Sequence, residues 1–143
     1  MEENKSCLNR SIALPNDVAE VPALAEFVEG VCEEVGMDMP TTMQLNLAIE
    51  EAVVNVMDYA YPAGVKGEVV VDARVNDGQL LIVITDHGTP FDPTAKGDVD
   101  TTLSAEERNI GGLGIHLIRT IMDTVSYERS GDSNVLTLTK KIQ

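Results

Sequence analysis

The stretch Ile82-Val83-Ile84-Thr85-Asp86-His87-Gly88-Thr89-Pro90-Phe91 runs from a continuous apolar segment straight into an aspartate, a glycine and a proline. A short apolar run bounded by turn residues reads as a buried strand, and this one delivers Asp86 to its end. Just upstream, Asn76-Asp77-Gly78 is a hairpin signal, because all three residues tolerate positive φ. Residues 67–75 and 79–85 are therefore predicted to pair as antiparallel strands. A carboxylate at a strand end can accept a hydrogen bond from an exocyclic amine such as that of adenine. Glycine at position 88 would let a flat ring approach the backbone. Taken alone, an Asp-x-Gly turn at a strand end is common, so the rest of the chain has to decide.

Working back towards the N-terminus, Tyr61-Pro62-Ala63-Gly64 closes a helix predicted over residues 40 to about 60. Leu45, Ile49, Ala52, Val53 and Val56 form its apolar stripe. Glu51, Asn55 and Asp58 stand at i, i+4 and i+7, on one face offset from that stripe. A carboxylate beside a carboxamide offers the oxygen ligands that magnesium prefers, although a polar helix face is more often simply solvated. Before it, residues 18–36 carry apolar positions at helical spacing, with Asn16 or Asp17 as cap and Gly36 as stop. Residues 7–14 read as a first short strand.

Towards the C-terminus, periodicity is lost from residue 86 to about 112, a length typical of a functional lid or of a disordered segment. Gly111-Gly112-Leu113-Gly114-Ile115 then opens a helix over 113 to about 122. Glycines ahead of a helix N-terminus expose backbone N–H groups and the positive end of the dipole, where phosphates bind; a flexible hinge would use the same residues. The P-loop signature is absent, so phosphate would be held by another architecture. Residues 124–128 and 135–142 read as a last strand pair, turning at Ser130-Gly131-Asp132-Ser133. Hairpin-joined strands partly segregated from helices predict an α+β two-layer sandwich with a mainly antiparallel sheet.

With 143 residues, 43% of them hydrophobic, the chain suits one domain, 1–143, with one core. The N-terminus lacks an apolar h-region and no run is long enough to span a membrane, so a cytoplasmic location is expected. Cys7 and Cys32 match no metal or redox spacing and are expected as free thiols. A net charge of −14 disfavours direct nucleic-acid binding and favours a partner with a basic surface. The methionines fall mostly in helical patterns and are read as core filler.

In order, the three motifs are E-x-x-x-N on a helix, D-x-G after a strand and G-G-x-G before a helix. This arrangement resembles the N box and the two glycine boxes of the Bergerat-fold ATPases. Without dimerisation or transducer domains, the short form is similar to the anti-sigma factor serine kinases. The resemblance spans nearly the whole chain. It is carried by the Leu45-to-Pro62 segment, by Gly112-Leu113-Gly114-Ile115-His116-Leu117-Ile118-Arg119 with Met122-Asp123, and by Glu107-Arg108 ahead of the second glycine box. It implies helices on one face of the sheet and an ATP lid at about 90–112.

What the resemblance implies for function follows residue by residue. Asn55 would bind magnesium bridging the ATP phosphates, and Glu51 would act as general base or orient the incoming hydroxyl. Asp86 would recognise the adenine amine with Gly88 giving clearance. Gly112, Leu113 and Gly114 would wrap the phosphates, and Arg108 would approach the γ-phosphate. The implied activity is ATP-dependent phosphorylation of a serine on a small anti-sigma antagonist, together with sequestration of a sigma factor. A nucleotide-gated protein-binding switch without kinase activity is the alternative. Relatives of that family are commonly dimers, so a homodimer stays open. Two positions depart from the pattern. Asn134 and Val135 stand where the family often has a threonine pair touching adenine, and Asp58 stands where many relatives have a basic residue. Asp58 is expected to face solvent, and His116 to be an ordinary helix residue.

Overall fold

A computed structural model describes residues 8–62, 64–95 and 112–142. Five strands form one antiparallel sheet in the order β1-β2-β3-β5-β4, with β1 at Asn9–Pro15, β2 at Glu68–Asn76, β3 at Gln79–Asp86, β4 at Thr124–Ser130 and β5 at Ser133–Lys141. Three helices accompany it: α1 at Val21–Val35, α2 at Met39–Tyr59 and α3 at Gly112–Ile121. This is the α+β two-layer architecture expected from the hairpin signals.

The layers follow from the period-2 pattern of the strands. Val69, Val71 and Ala73 of β2, Leu80, Ile82 and Ile84 of β3, and Leu136 and Leu138 of β5 are all buried. They meet Leu24 and Val28 of α1, Leu45, Ile49 and Val53 of α2, and Ile115 and Ile118 of α3 in a single core. The alternate residues, such as Val70, Leu81, Val83 and Val135, are only half-buried on the opposite face. Cys32 lies in the core with a free thiol, and burial pushes that thiol up from its ordinary value; Cys7 lies outside the described residues.

Element boundaries shift for identifiable reasons. The first helix was expected from residue 18, but Val18–Glu20 is a 3-10 turn capped by the Asp17 side chain, and α1 starts at Val21. Pro22 has no N–H to donate, so it is tolerated only in the first turn of the helix. Pro40 sits likewise in the first turn of α2, whose N-cap is Asp38, accepting from the Thr41 N–H at 2.8 Å. Hydrogen bonds from Thr41 hold the Asp38 carboxyl below its ordinary value. That cap therefore stabilises the fold above the ordinary carboxylate pKa and is lost as pH falls through the lowered one. Between β2 and β3, Asp77 (φ 54°) and Gly78 (φ 74°) form the two-residue turn that their sequence requires.

The expectation for the methionines is only half met. Met57 and Met122 are buried, but Met39 is 70% and Met43 65% exposed. Both lie on the side of α2 away from Leu45 and Ile49, so a helical pattern of apolar residues extends beyond the face that the sheet covers. Among the described residues no helix is long and apolar enough to cross a membrane.

Candidate active site

The turn after β3 is held by a buried polar network. Asp86 is 1% and Asn134 3% exposed, and antiparallel pairing of β3 with β5 sets them opposite each other. The Asn134 amide donates to Asp86 Oδ1 at 2.9 Å and to the Thr89 carbonyl at 2.8 Å. Its oxygen accepts from the Phe91 N–H at 3.1 Å and from the Tyr127 hydroxyl. With both amide hydrogens and the oxygen engaged, the orientation of this side chain is determined by its partners. Asp86 Oδ1 also accepts from the Gly88 N–H at 2.8 Å, closing the turn. Among the described residues no hydrogen bond reaches Asp86 Oδ2.

The same turn docks on the C-terminal end of α2, bringing the first two sequence motifs together. The Thr89 N–H and hydroxyl both donate to the Ala60 carbonyl, at 2.7 and 3.0 Å. The Arg129 guanidinium donates to the Gly88 carbonyl at 2.9 Å. A Cβ on Gly88 would lie 2.2 Å from the Ala60 oxygen, so close approach of the two backbones explains the glycine without reference to a ligand. Tyr61 ties the same corner to β2: its hydroxyl accepts from the His87 N–H at 3.0 Å and donates to the Glu68 carbonyl at 2.8 Å. Beyond the turn, Pro93–Ala95 forms a 3-10 turn, and Arg119 of α3 donates to the Thr94 carbonyl at 2.9 Å.

On α2 the arrangement is different. Asn55 is 5% exposed, and its amide nitrogen is buried with no partner among the described residues. The helix face that sequence reads as polar thus turns inward at this residue. Glu51, one turn earlier, is partly exposed, and Asp58 is exposed as expected. Partial burial first, and then the Asp58 and Glu51 carboxylates, push the Tyr59 phenol up from its ordinary value. The Tyr59 ring packs against Phe91, with centroids 5.7 Å apart.

Gly112, Leu113 and Gly114 form the first turn of α3, where backbone N–H groups have no intrahelical partners. The helix packs against α2. His116 is exposed on α3. Arg108, with Glu107, Gly111 and most of the span assigned to the lid, lies outside the described residues.

Sequence reasoning missed the part played by Asn134. The resemblance marks it only as standing where a threonine contact is usual, and the last strand is expected from residue 135, two residues after its observed start at Ser133. The alternation Asn134, Leu136, Leu138 places the asparagine on the inward face, and an inward asparagine requires a buried partner.

A sequence profile of the histidine kinase-like ATPase domain matches residues 14–140. The chain is 32% identical over 130 residues to the serine-protein kinase RsbW of Listeria monocytogenes, covering 82% of this chain and 83% of that protein. It is 33% identical over 135 residues to the serine-protein kinase RsbW of Halalkalibacterium halodurans, covering 86% and 81%. Among solved structures, the RsbU and RsbW domains of a Mycobacterium tuberculosis protein superpose with a TM-score of 0.67 over 94% of this chain and 32% of that larger one. At 18% identity this last likeness concerns the fold alone. The chain belongs to the histidine kinase-like ATPase family, in the group that contains the RsbW serine-protein kinases.

Proposed function

We propose that the protein is an ATP-dependent protein serine kinase and anti-sigma factor, phosphorylating a small antagonist protein and sequestering a sigma factor. Its relatives by sequence are serine-protein kinases over more than four-fifths of their length. The observation that carries the reading is Asn55, whose buried amide nitrogen has no partner among the described residues, one helical turn from Glu51. A fold seldom leaves such a group unsatisfied; an orphaned N–H donor suits an acceptor oxygen such as that of a bound phosphate or water, and the oxygen of the same side chain is of the type that a hard cation takes.

In this reading Asp86 Oδ2 accepts the adenine amine, while Asn134 fixes the carboxylate in place. The first turn of α3, at Gly112, Leu113 and Gly114, donates N–H groups to phosphate oxygens. Asn55, with Glu51 nearby, would hold magnesium, which supplies charge neutralisation at the phosphates when bound. Glu51 takes the proton from the substrate serine as its oxygen attacks the γ-phosphorus. The bond between that phosphorus and the bridging oxygen breaks, leaving ADP. Arg108 adds positive charge at the γ-phosphate.

Two measurements test the reading together. Saturating Mg-ATP is expected to stabilise the protein against thermal unfolding, by about 2.7 kcal/mol at a hundredfold excess over Kd. Incubation with Mg-ATP and a candidate antagonist is expected to yield phosphoserine. Stabilisation without phosphoserine would transfer the protein to the nucleotide-gated switch, and no stabilisation would remove the nucleotide altogether.

A further inference from the structure

The exposed methionines of α2 belong to a longer row. Met39, Met43, Leu47, Glu51 and Asn55 follow one another at intervals of four residues along the helix. Such i±4 rows are the natural ridges of an α-helix and wind slowly around its axis. Exposure falls along this one, from 70% at Met39 through 65% at Met43 and 51% at Leu47 to 5% at Asn55, with Glu51 partly exposed between the last two. The ridge begins as an apolar strip in solvent and leads into the candidate catalytic residues. Three large apolar side chains in a row, each at least half exposed, are not explained by the fold.

Electrostatics around the strip narrow what could cover it. Neither α1 nor α2 contains a lysine or arginine. Glu26, Glu29 and Glu33 of α1 and Glu50 of α2 are exposed. Glu50 neighbours Leu47 at i+3, and Asn46, beside Leu47, donates to Glu29 across the seam between the helices at 3.4 Å. An apolar ridge edged by carboxylates is complementary to an amphipathic segment whose apolar residues are flanked by lysine or arginine. Methionine is suited to such a contact because its flexible side chain adapts to the partner.

We propose that Met39, Met43 and Leu47 form the docking ridge for the protein substrate, an amphipathic helical segment with basic flanks that presents its serine to Glu51. This rests on the kinase reading for what happens at Glu51, but the docking itself does not. Along α2, Leu47 is about 6 Å and Met39 about 18 Å from Glu51 at 1.5 Å per residue. The acceptor serine is therefore placed roughly one helical turn beyond the last apolar anchor of the docked segment.

The test uses a designed, fluorescein-labelled helical peptide. It has leucine at three positions spaced by four, lysine between them, and one serine four residues past the last leucine. Binding to the nucleotide-free full chain is read by anisotropy. Met43→Gln/Leu47→Gln is expected to weaken binding at least tenfold, with its circular dichroism and melting unchanged, and Met39→Gln alone to weaken it less. A peptide with serine in place of the leucines is expected not to bind. Equal affinity for wild type and the double variant would overturn the proposal and leave only general attraction to an acidic protein. A dimer in sedimentation velocity that the double variant converts to monomer would also overturn it, assigning the ridge to a second copy of the chain. Should the double variant not fold, Met39→Gln decides: no change in affinity would overturn the proposal. Peptide that binds at the ridge but gains no phosphate from Mg-ATP would count against the kinase reading and leave the docking ridge standing.

Discussion

Around Asp86 the protein's own side chains hold one another, whereas around Asn55 they do not. Asn134 engages Asp86, Thr89, Phe91 and Tyr127 at once, and Arg129 and Ala60 fix the turn that follows. One turn of α2 away from Tyr59, Asn55 keeps a buried amide nitrogen with no partner, and Glu51 makes no hydrogen bond or ion pair among the described residues. The first region is organised in advance, with one Asp86 oxygen that no other described residue engages. The second is left incomplete, as a place does where a ligand supplies the missing partners. In the proposed reading, recognition of the base and handling of the phosphates fall to two regions that differ in how far the fold satisfies itself.

Four substitutions probe that contrast. Glu51→Gln is expected to lower phosphoryl transfer by about 10²–10⁴-fold while leaving Mg-ATP affinity nearly intact, since glutamine keeps the shape but cannot take a proton. Single-turnover kinetics beside calorimetry would read both, and a wild-type rate would mean that Glu51 is no base. Asn134→Ala is expected to act on the fold instead. It strips partners from a buried carboxylate, a hydroxyl and two backbone groups, and should cost about 3 kcal/mol in urea unfolding. A loss under 1 kcal/mol would show that the network is not as mutually dependent as its geometry suggests.

Asn55→Leu should do the reverse. Replacing an unsatisfied buried amide by an apolar group of similar size is expected to leave the nucleotide-free protein as stable or more stable, by up to about 1 kcal/mol. The added stabilisation by Mg-ATP should disappear. Destabilisation instead would mean that Asn55 serves the fold after all. Gly30→Ala supplies the scale for these effects. This glycine lies within α1 with nothing inside 4 Å of a Cβ, so alanine should add about 0.5–1 kcal/mol without changing nucleotide affinity.

Much of this was legible in the chain itself. The Leu45, Ile49, Ala52, Val53 and Val56 stripe is buried, and Asn76-Asp77-Gly78 turns the β2–β3 hairpin as its composition requires. Local periodicity and turn chemistry act over a few residues, so they can be read without a partner. The position of Asn134 opposite Asp86 could not be read that way, because it depends on the register of two strands far apart in sequence. The burial of Asn55 could not be read from its helix either, because it depends on what packs over α2 and not on the apolar stripe. The exposure of Met39 and Met43 was missed for the complementary reason: an apolar residue in a helical pattern does not say whether anything lies over it.

The pairing of Asp86 with Asn134 also bears on the order in which the molecule is assembled. The β2–β3 hairpin and α2 are built from contacts close in sequence, and each can begin to form by itself. The bond between Asp86 and Asn134 spans 48 positions. It can form only when β5 has been threaded between β3 and β4, after a long loop has closed against its entropy. A nascent chain released before β5 emerges would carry an exposed aspartate at the end of a hydrophobic strand, with nothing to orient it. If Asp86 recognises a base as proposed, that competence would arrive late, with the closing of the sheet, in a chain whose last strand is in register.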